Sequence, residues 1–290
     1  MGFDGKADGI PFPCGQCLSC RINKRRVWTL RLMLENYYHE KACFVTLTYR
    51  DDDLPFDLCS GVPVLEKRDC QLWLKRLRKR FNGTEVRYYL AGEYGTRSKR
   101  PHYHAILFGI GPEQLDPQFF LYGGKSGGEK GLEKRVTPLS KTWSFGLVHV
   151  GEVTRQSIQY VAGYVTKKFT KKGDGYVPEF SLMSRRPGIG SQAVGQIAAV
   201  LQQYNLEERT QRQLRIDGKK WPLGRYLLDK LSDVLGVEFG TDDYVRELSR
   251  YWAESRRSGL SFVDFLVQQD AGKYALLEAK DKIYNKRIVL

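Results

Sequence analysis

Residues 86–109 read VRYYLAGEYGTRSKRPHYHAILFG. Two apolar and aromatic runs, Val86 to Tyr94 and His102 to Gly109, flank Gly95 to Pro101, a pattern that predicts a β-hairpin. Alternate side chains of a strand share a face. His102 and His104 therefore project side by side, and Tyr103 turns to the other face, toward the core. Working outward, Cys43 to Tyr49 is a β-branched and aromatic run that predicts a strand, and Gly146 to Val153 predicts another. Arg21 to Glu40, Leu65 to Phe81 and Arg155 to about Lys168 carry helical patterns. Mixed order around a hairpin predicts an α+β fold, an antiparallel sheet flanked by helices, which we place on one face, rather than a doubly wound parallel sheet. Pro187–Gly188 breaks the pattern. Beyond it, helices are expected at Ser191–Gln213, Leu223–Leu235, Thr241–Ser258 and Ser261–Lys282. Three regions follow: a Gly-, Pro- and Cys-containing arm at 1–20, the α+β domain at 21–190, and a mostly helical region at 191–290.

The chain has 290 residues, 41% of them hydrophobic and 12% aromatic, enough for a proper core, so whole-chain disorder is excluded. No run approaches the ~18 consecutive apolar residues of a spanning helix, so an integral membrane protein is not expected. Met1 to Gly9 contains no apolar segment of the signal-peptide kind, and a cytosolic protein is expected. Lys+Arg outnumber Asp+Glu by 47 to 33, a net charge of +14. Residues 191–290 hold 16 Lys+Arg against 14 Asp+Glu, so +12 of that excess lies on residues 1–190. Such a bias points to a polyanionic partner. Arg21, Lys24, Arg25 and Arg26 on the first helix, and Lys75, Arg76 and Lys79 on the second, are candidate phosphate contacts for single-stranded DNA, or else solvated helix faces. Tyr88, Tyr89 and Tyr94 suit either base stacking or core packing.

Two parallel imidazoles, His102 and His104, suit one divalent cation. If the turn centres near Ser98, Glu93 lies opposite Tyr103 to within about one residue, close enough to supply a third ligand. Two histidines and a carboxylate with open positions can hold Mg²⁺ or Mn²⁺. Tyr160 and Tyr164 are i,i+4 neighbours on the predicted helix, and Lys167 and Lys168 follow one turn later. The pair reads either as an aromatic stripe facing the core or as two nucleophiles, with a lysine or a metal activating the phenol. In the second reading a tyrosine oxygen attacks a phosphodiester, leaving a 5′-phosphotyrosine link and a free 3′-hydroxyl. Cys14, Cys17 and Cys20 have zinc-like spacing, with Cys43, His39 or Cys70 as candidate fourth ligand; plain reduced thiols are the competing reading. Two motifs fail. Gly124–Lys125–Ser126 would end a Walker A loop, but Phe119 stands where its first glycine belongs. Gly188-x-Gly190-x-x-Ala193 lacks the β-α-β setting of a dinucleotide fold.

His102–Tyr103–His104, following Phe44 to Tyr49 and preceding Tyr160-x-x-x-Tyr164-x-x-Lys167–Lys168, resembles the HUH endonucleases that initiate rolling-circle replication. Pro13 to Cys20, Gly92 to Gly95, Arg100 to His104 and Phe180 to Gly190 narrow the resemblance to the replication initiators of gokushovirus-like microviruses. It implies a ferredoxin-like palm over 21–190, metal ligation by His102, His104 and Glu93, and catalysis by Tyr160 and Tyr164 with Lys167 or Lys168 in support. It also implies single-stranded origin DNA as substrate, nicked and later rejoined in the cytoplasm of a bacterial host. Since the chain shows no ATPase motif, a host helicase and DNA polymerase are the expected partners. Three other readings remain at this point: a relaxase or transposase nickase of a mobile element, a non-catalytic single-stranded DNA-binding protein, and a non-haem iron oxygenase.

Overall fold

The computed structural model describes residues 15, 18–95, 97–116, 141–164, 175–206, 212–237 and 242–261, with isolated positions between 264 and 279. It opens with helix α1 (Leu18–Tyr37), strand β1 (Ala42–Thr48), helix α2 (Lys67–Arg80) and the hairpin strands β2 (Arg87–Tyr94) and β3 (Pro101–Phe108). A single turn, α3 (Pro112–Leu115), then β4 (Val148–Glu152), α4 (Arg155–Gly163) and β5 (Phe180–Met183) follow. Strands β4-β1-β3-β2-β5 lie in that order in one sheet, antiparallel throughout. The α+β class and the antiparallel sheet are thus as expected.

The placement of the helices differs from expectation, because both faces of the sheet are covered. On one face α2 packs Cys70, Trp73, Leu74 and Leu77 against Val45, Leu47, Leu90, Tyr103 and Leu107. On the other, Leu32 of α1 and Ile158, Val161 and Ala162 of α4 cover Tyr89, Ala91, Ile106 and Phe108. The reason is visible in β2 and β3. Seven of the eight residues of each are buried, so neither strand alternates polar with apolar as a one-sided sheet does.

The chain divides into two compact units, one of Trp28–Ala193 and one of Met1–Val27 with Val194–Leu290. The second contains α5 (Ala193–Gln203), a two-stranded ribbon of β6 (Gln213–Ile216) and β7 (Lys219–Pro222), α6 (Gly224–Leu235) and α7 (Asp242–Ser258). The first expected helix of this region therefore ends ten residues early. Asn205 takes a left-handed conformation, φ 50°, and the Leu206 N–H reaches back to the Leu201 carbonyl at 2.9 Å. That closure terminates a helix. The ribbon was not foreseen, although Asp217–Gly218, with φ 48° and 71°, is a primed-turn dipeptide. Among the described residues no helix is long and apolar enough to cross a membrane.

Candidate metal centre and paired tyrosines

The hairpin register decides which carboxylate meets the histidines. Gly95 N–H bonds the Arg100 carbonyl at 3.0 Å and Lys99 N–H the Gly95 carbonyl at 3.0 Å, closing a tight loop. Arg100 then ties the loop to the end of β1, donating to Asp51 Oδ1 at 2.6 Å and to the Tyr49 carbonyl at 2.7 Å. The pairing that results sets Glu93 opposite His102 and Gly92 opposite Tyr103, one residue from the centred turn expected above. The shift matters, because directly paired residues share a face. Glu93 joins His102 and His104 on the α4 side, while Tyr103 points to the α2 side. A Cβ at Gly92 would sit 3.1 Å from carbons of the Tyr103 ring and of Leu65, so glycine leaves space for that ring.

Glu93 Oε1 lies 2.7 Å from His102 Nε2 and 3.2 Å from His104 Nε2. Ligand atoms of all three residues fall within 4.8 Å of one another, and among the described residues this is the one such group of His, Cys, Asp and Glu. Glu93 and His104 are buried; His102 is partly exposed. The imidazoles are oriented from behind. His102 Nδ1 lies 3.2 Å from the Arg100 carbonyl, and His104 Nδ1 lies 3.0 Å from Thr46 Oγ1. A carbonyl only accepts, so His102 would carry its proton on Nδ1 whenever a cation takes its Nε2 lone pair. Thr46 permits the same tautomer at His104. Phe44, two residues earlier on β1, stacks on the His104 ring at 5.6 Å. The donor set, one carboxylate oxygen and two oriented Nε2 atoms, fits a divalent cation, and open positions remain for oxygen ligands.

Helix α4 brings the tyrosines to this cluster. Thr154 and Ser157 form a reciprocal capping box at its start, with Ser157 N–H donating to Thr154 Oγ1 at 3.1 Å and Thr154 N–H to Ser157 Oγ at 2.8 Å. From that start, Ile158, Val161 and Ala162 face the sheet. Tyr160 OH approaches His104 Nε2 at 3.4 Å. Tyr164 stacks on the His104 ring, centroids 5.3 Å apart and planes 8° apart, and meets Tyr160 edge-on at 4.8 Å. Burial pushes the Tyr160 phenol above its ordinary value, and the Glu93 charge adds to this, against a hydrogen bond from Tyr164. Burial drives the Tyr164 phenol up strongly, with the Glu93 charge and the Tyr160 contact acting in the same direction. Both phenols are thus neutral near pH 7. Tyr164 is buried, and Tyr160 is the more exposed of the two.

Other expected site residues lie elsewhere. Lys167, Lys168, Cys14 and Cys17 fall outside the described residues. Cys20, on α1, is in no disulfide among the described residues. Of the candidate fourth zinc ligands, Cys43 of β1 and Cys70 of α2 are buried in the core between that helix and the sheet, and His39 sits 3.3 Å from Glu35. Arg21, Lys24, Arg25 and Arg26 lie on the first half of α1, within the unit that holds the C-terminal region. Arg26 donates there to the Lys220 carbonyl. Lys75, Arg76 and Lys79 lie on α2, across the sheet from the histidines. Arg76 is held by the Thr142 carbonyl at 3.3 Å and lies over the Phe145 ring. Tyr89 and Tyr94 are buried in the core and Tyr88 is half-buried, which favours packing over base stacking.

Thr46 and Phe44 were not singled out from the sequence. Their place beside His104 depends on β1 pairing with β3, 58 residues away between Thr46 and His104. A further surprise is Glu35 of α1, fully buried. Arg87 Nε donates to it, Gly190 N–H does so at 2.6 Å, and Arg87 Nη2 reaches the Pro187 carbonyl at 2.9 Å.

With this geometry in place, residues 42–169 match the family described as replication-associated protein ORF2/G2P. That segment contains the sheet residues Glu93, His102 and His104 and both tyrosines. The chain is 30% identical over 82% of its length to replication-associated protein ORF4 of Chlamydia phage 1, of which it covers 58%. It is 32% identical over 56% of its length to replication-associated protein VP4 of Bdellovibrio phage phiMH2K, covering 50% of that protein. It is 33% identical over 61% of its length to replication-associated protein ORF2 of Spiroplasma virus 4, covering 55%. The chain thus spans about half the length of the curated relatives it matches. No solved structure matches. The resemblance read from the motifs is thereby borne out: residues 42–169 match the replication-associated protein ORF2/G2P family, and the chain is similar beyond that segment to the replication-associated proteins of Chlamydia phage 1 and Spiroplasma virus 4.

Proposed function

We propose that this chain is a replication initiator that nicks single-stranded viral DNA at the origin by tyrosine transesterification and later rejoins the ends. The observation that carries the reading is the convergence of Glu93, His102 and His104 with the phenols of Tyr160 and Tyr164 on one face of the sheet. Glu93, His102 and His104 would hold Mg²⁺ or Mn²⁺, which would supply Lewis-acid polarisation of the scissile phosphodiester. Tyr160 Oη attacks phosphorus and the bond from phosphorus to the 3′-oxygen breaks. The phenolic proton is lost, the leaving 3′-oxygen gains one, and a 5′-phosphotyrosine remains. The reverse attack by a 3′-hydroxyl restores the phosphodiester, so no nucleotide is consumed.

Tyr160 acts first because it is the more exposed phenol and its hydroxyl touches His104 Nε2. His104 Nε2 would give up this contact on holding a cation, which would leave the Tyr160 hydroxyl available for attack. Tyr164 serves a second transfer, and its burial requires α4 to shift before it reacts. Lys167 or Lys168 supports the attack. Residues 21–190 form the nickase domain, residues 191–290 an accessory region, and Arg21, Lys24, Arg25, Arg26, Lys75 and Lys79 contact phosphates. The protein works in the cytoplasm of the bacterial host with its helicase and DNA polymerase.

The test is incubation of the full chain with single-stranded circular DNA and Mn²⁺, read as a protein–DNA adduct on a denaturing gel. The adduct is expected to vanish with EDTA and in Tyr160→Phe, and to persist in Tyr164→Phe in the first round. Tight binding with no adduct under any of these conditions would return the tyrosines to a packing role.

A further inference from the structure

The end of the sheet remote from the histidines holds a cleft of about 450 Å³. Arg78 and Phe81 from the end of α2, Glu85, and Ser184, Arg185 and Arg186 beyond β5 line it. Arg87 opens β2 at this cleft, and Glu93 lies six residues further along the same strand, roughly 20 Å away at ~3.3 Å per residue. The cleft is therefore a separate place from the metal centre.

Arg78, Arg185 and Arg186 are exposed, and among the described residues none of them has a carboxylate in ion-pair range. Arg78 lies over the Tyr88 ring, 5.3 Å from its centroid. Glu85 is the one acidic residue in the lining. The two arginines beyond β5 ride on a backbone that buried groups hold still. Ser184 N–H bonds the Tyr88 carbonyl at 3.0 Å, and Tyr88 N–H bonds Ser184 Oγ at 3.1 Å. Arg87 clamps the Pro187 carbonyl, Glu35 accepts from Gly190 N–H, and Arg31 Nε donates to the Ile189 carbonyl at 2.9 Å. Arginines scattered for solubility need no such support. Three arginines lining one concavity, two of them on a held backbone and one on α2, suit phosphate oxygens.

We propose that this cleft is a second DNA site, gripping backbone phosphates at a distance from the bond that is cut. The choice of DNA as the phosphate polymer rests on the nickase reading above. The contacts are to the backbone, so the site adds affinity and holds the DNA without reading its sequence.

The test uses the full chain and a labelled single-stranded oligonucleotide long enough to span both sites, titrated across a salt series. Arg78→Ala/Arg185→Ala/Arg186→Ala is expected to flatten the slope of log K against log salt by about 2, at roughly 0.7 per phosphate released. Arg185→Lys/Arg186→Lys keeps the slope. Glu85→Gln tightens binding at low salt and not at high salt, a gain that misfolding does not produce. An unchanged slope in the triple variant, or no tightening in Glu85→Gln, overturns the proposal. Adduct formation on circular DNA is read separately. If wild type gives no adduct but the slopes shift as stated, the cleft stands and the nickase reading falls. If every variant forms adduct and the slopes do not move, the reverse holds.

Discussion

His104 is held on both sides, by Thr46 at Nδ1 and by Glu93 and Tyr160 at Nε2. Thr46 holds the ring from behind, and partners of that kind are worth about 10–100-fold in metal affinity. Thr46→Val keeps the shape and removes the hydroxyl. Calorimetric titration with Mn²⁺ is expected to show that loss at unchanged stoichiometry; equal affinity for both proteins would make Thr46 a spacer only. The pair His102 and His104 was legible because strand alternation is a local rule, and Glu93 was legible because a hairpin is nearly local. The remaining error of one residue lay in a loop whose closure depends on Arg100 reaching Asp51 and the Tyr49 carbonyl. No local pattern encodes that contact. Thr46 was illegible for the same reason, since its partner is set by the pairing of β1 with β3.

At the scale of elements, Glu35 joins α1, β2 and the segment after β5. Burial alone drives its carboxyl upward. Hydrogen bonds from His39, Arg87 and the Gly190 N–H, together with the Arg87 charge, outweigh burial and hold it below its ordinary range. A carboxylate lowered on folding stabilises the protein above its unfolded value, about 4.3, and that contribution is lost as pH falls through the folded value. Glu35→Gln leaves Arg87 buried without a counter-charge, a change costing about 3–5 kcal/mol. Urea unfolding at pH 7 is expected to show that loss. Repeated down a pH series, it should show a flatter acid limb for the variant than for wild type. A glutamate inside a helical run reads as solvent-facing, so nothing in α1 announced this role. The β5 strand and the β6–β7 ribbon escaped for a different reason, as four-residue strands are too short to display alternation.

Over the whole molecule the sheet separates two tasks. Its α2 face is an apolar core around Trp73, Trp143 and Tyr103, and its α4 face carries the ligands and the tyrosines. The charge bias was legible from composition, whereas the division into two units was not, because α1 runs continuously through the boundary at Val27 and Trp28. The separation has a thermodynamic consequence. Glu93 and His104 are buried acceptor and ligand groups drawn together on adjacent strands, and an ion that binds only this folded arrangement stabilises it by mass action. At a hundredfold excess over Kd the gain is about 2.7 kcal/mol, or roughly 5–10 °C in melting temperature for a unit of this size. Mn²⁺ is expected to raise the melting temperature by that amount, EDTA to reverse it, and His102→Ala/His104→Ala to show no response. Trp73→Ala, on the opposite face, should lower the metal-free melting temperature through a loss of about 3–5 kcal/mol. It should nevertheless keep the same increment with Mn²⁺, because distant sites without shared partners add. An increment that collapses in Trp73→Ala would mean that the two faces are one cooperative packing unit, and that the metal site depends on the core beneath α2 rather than on the hairpin that presents it.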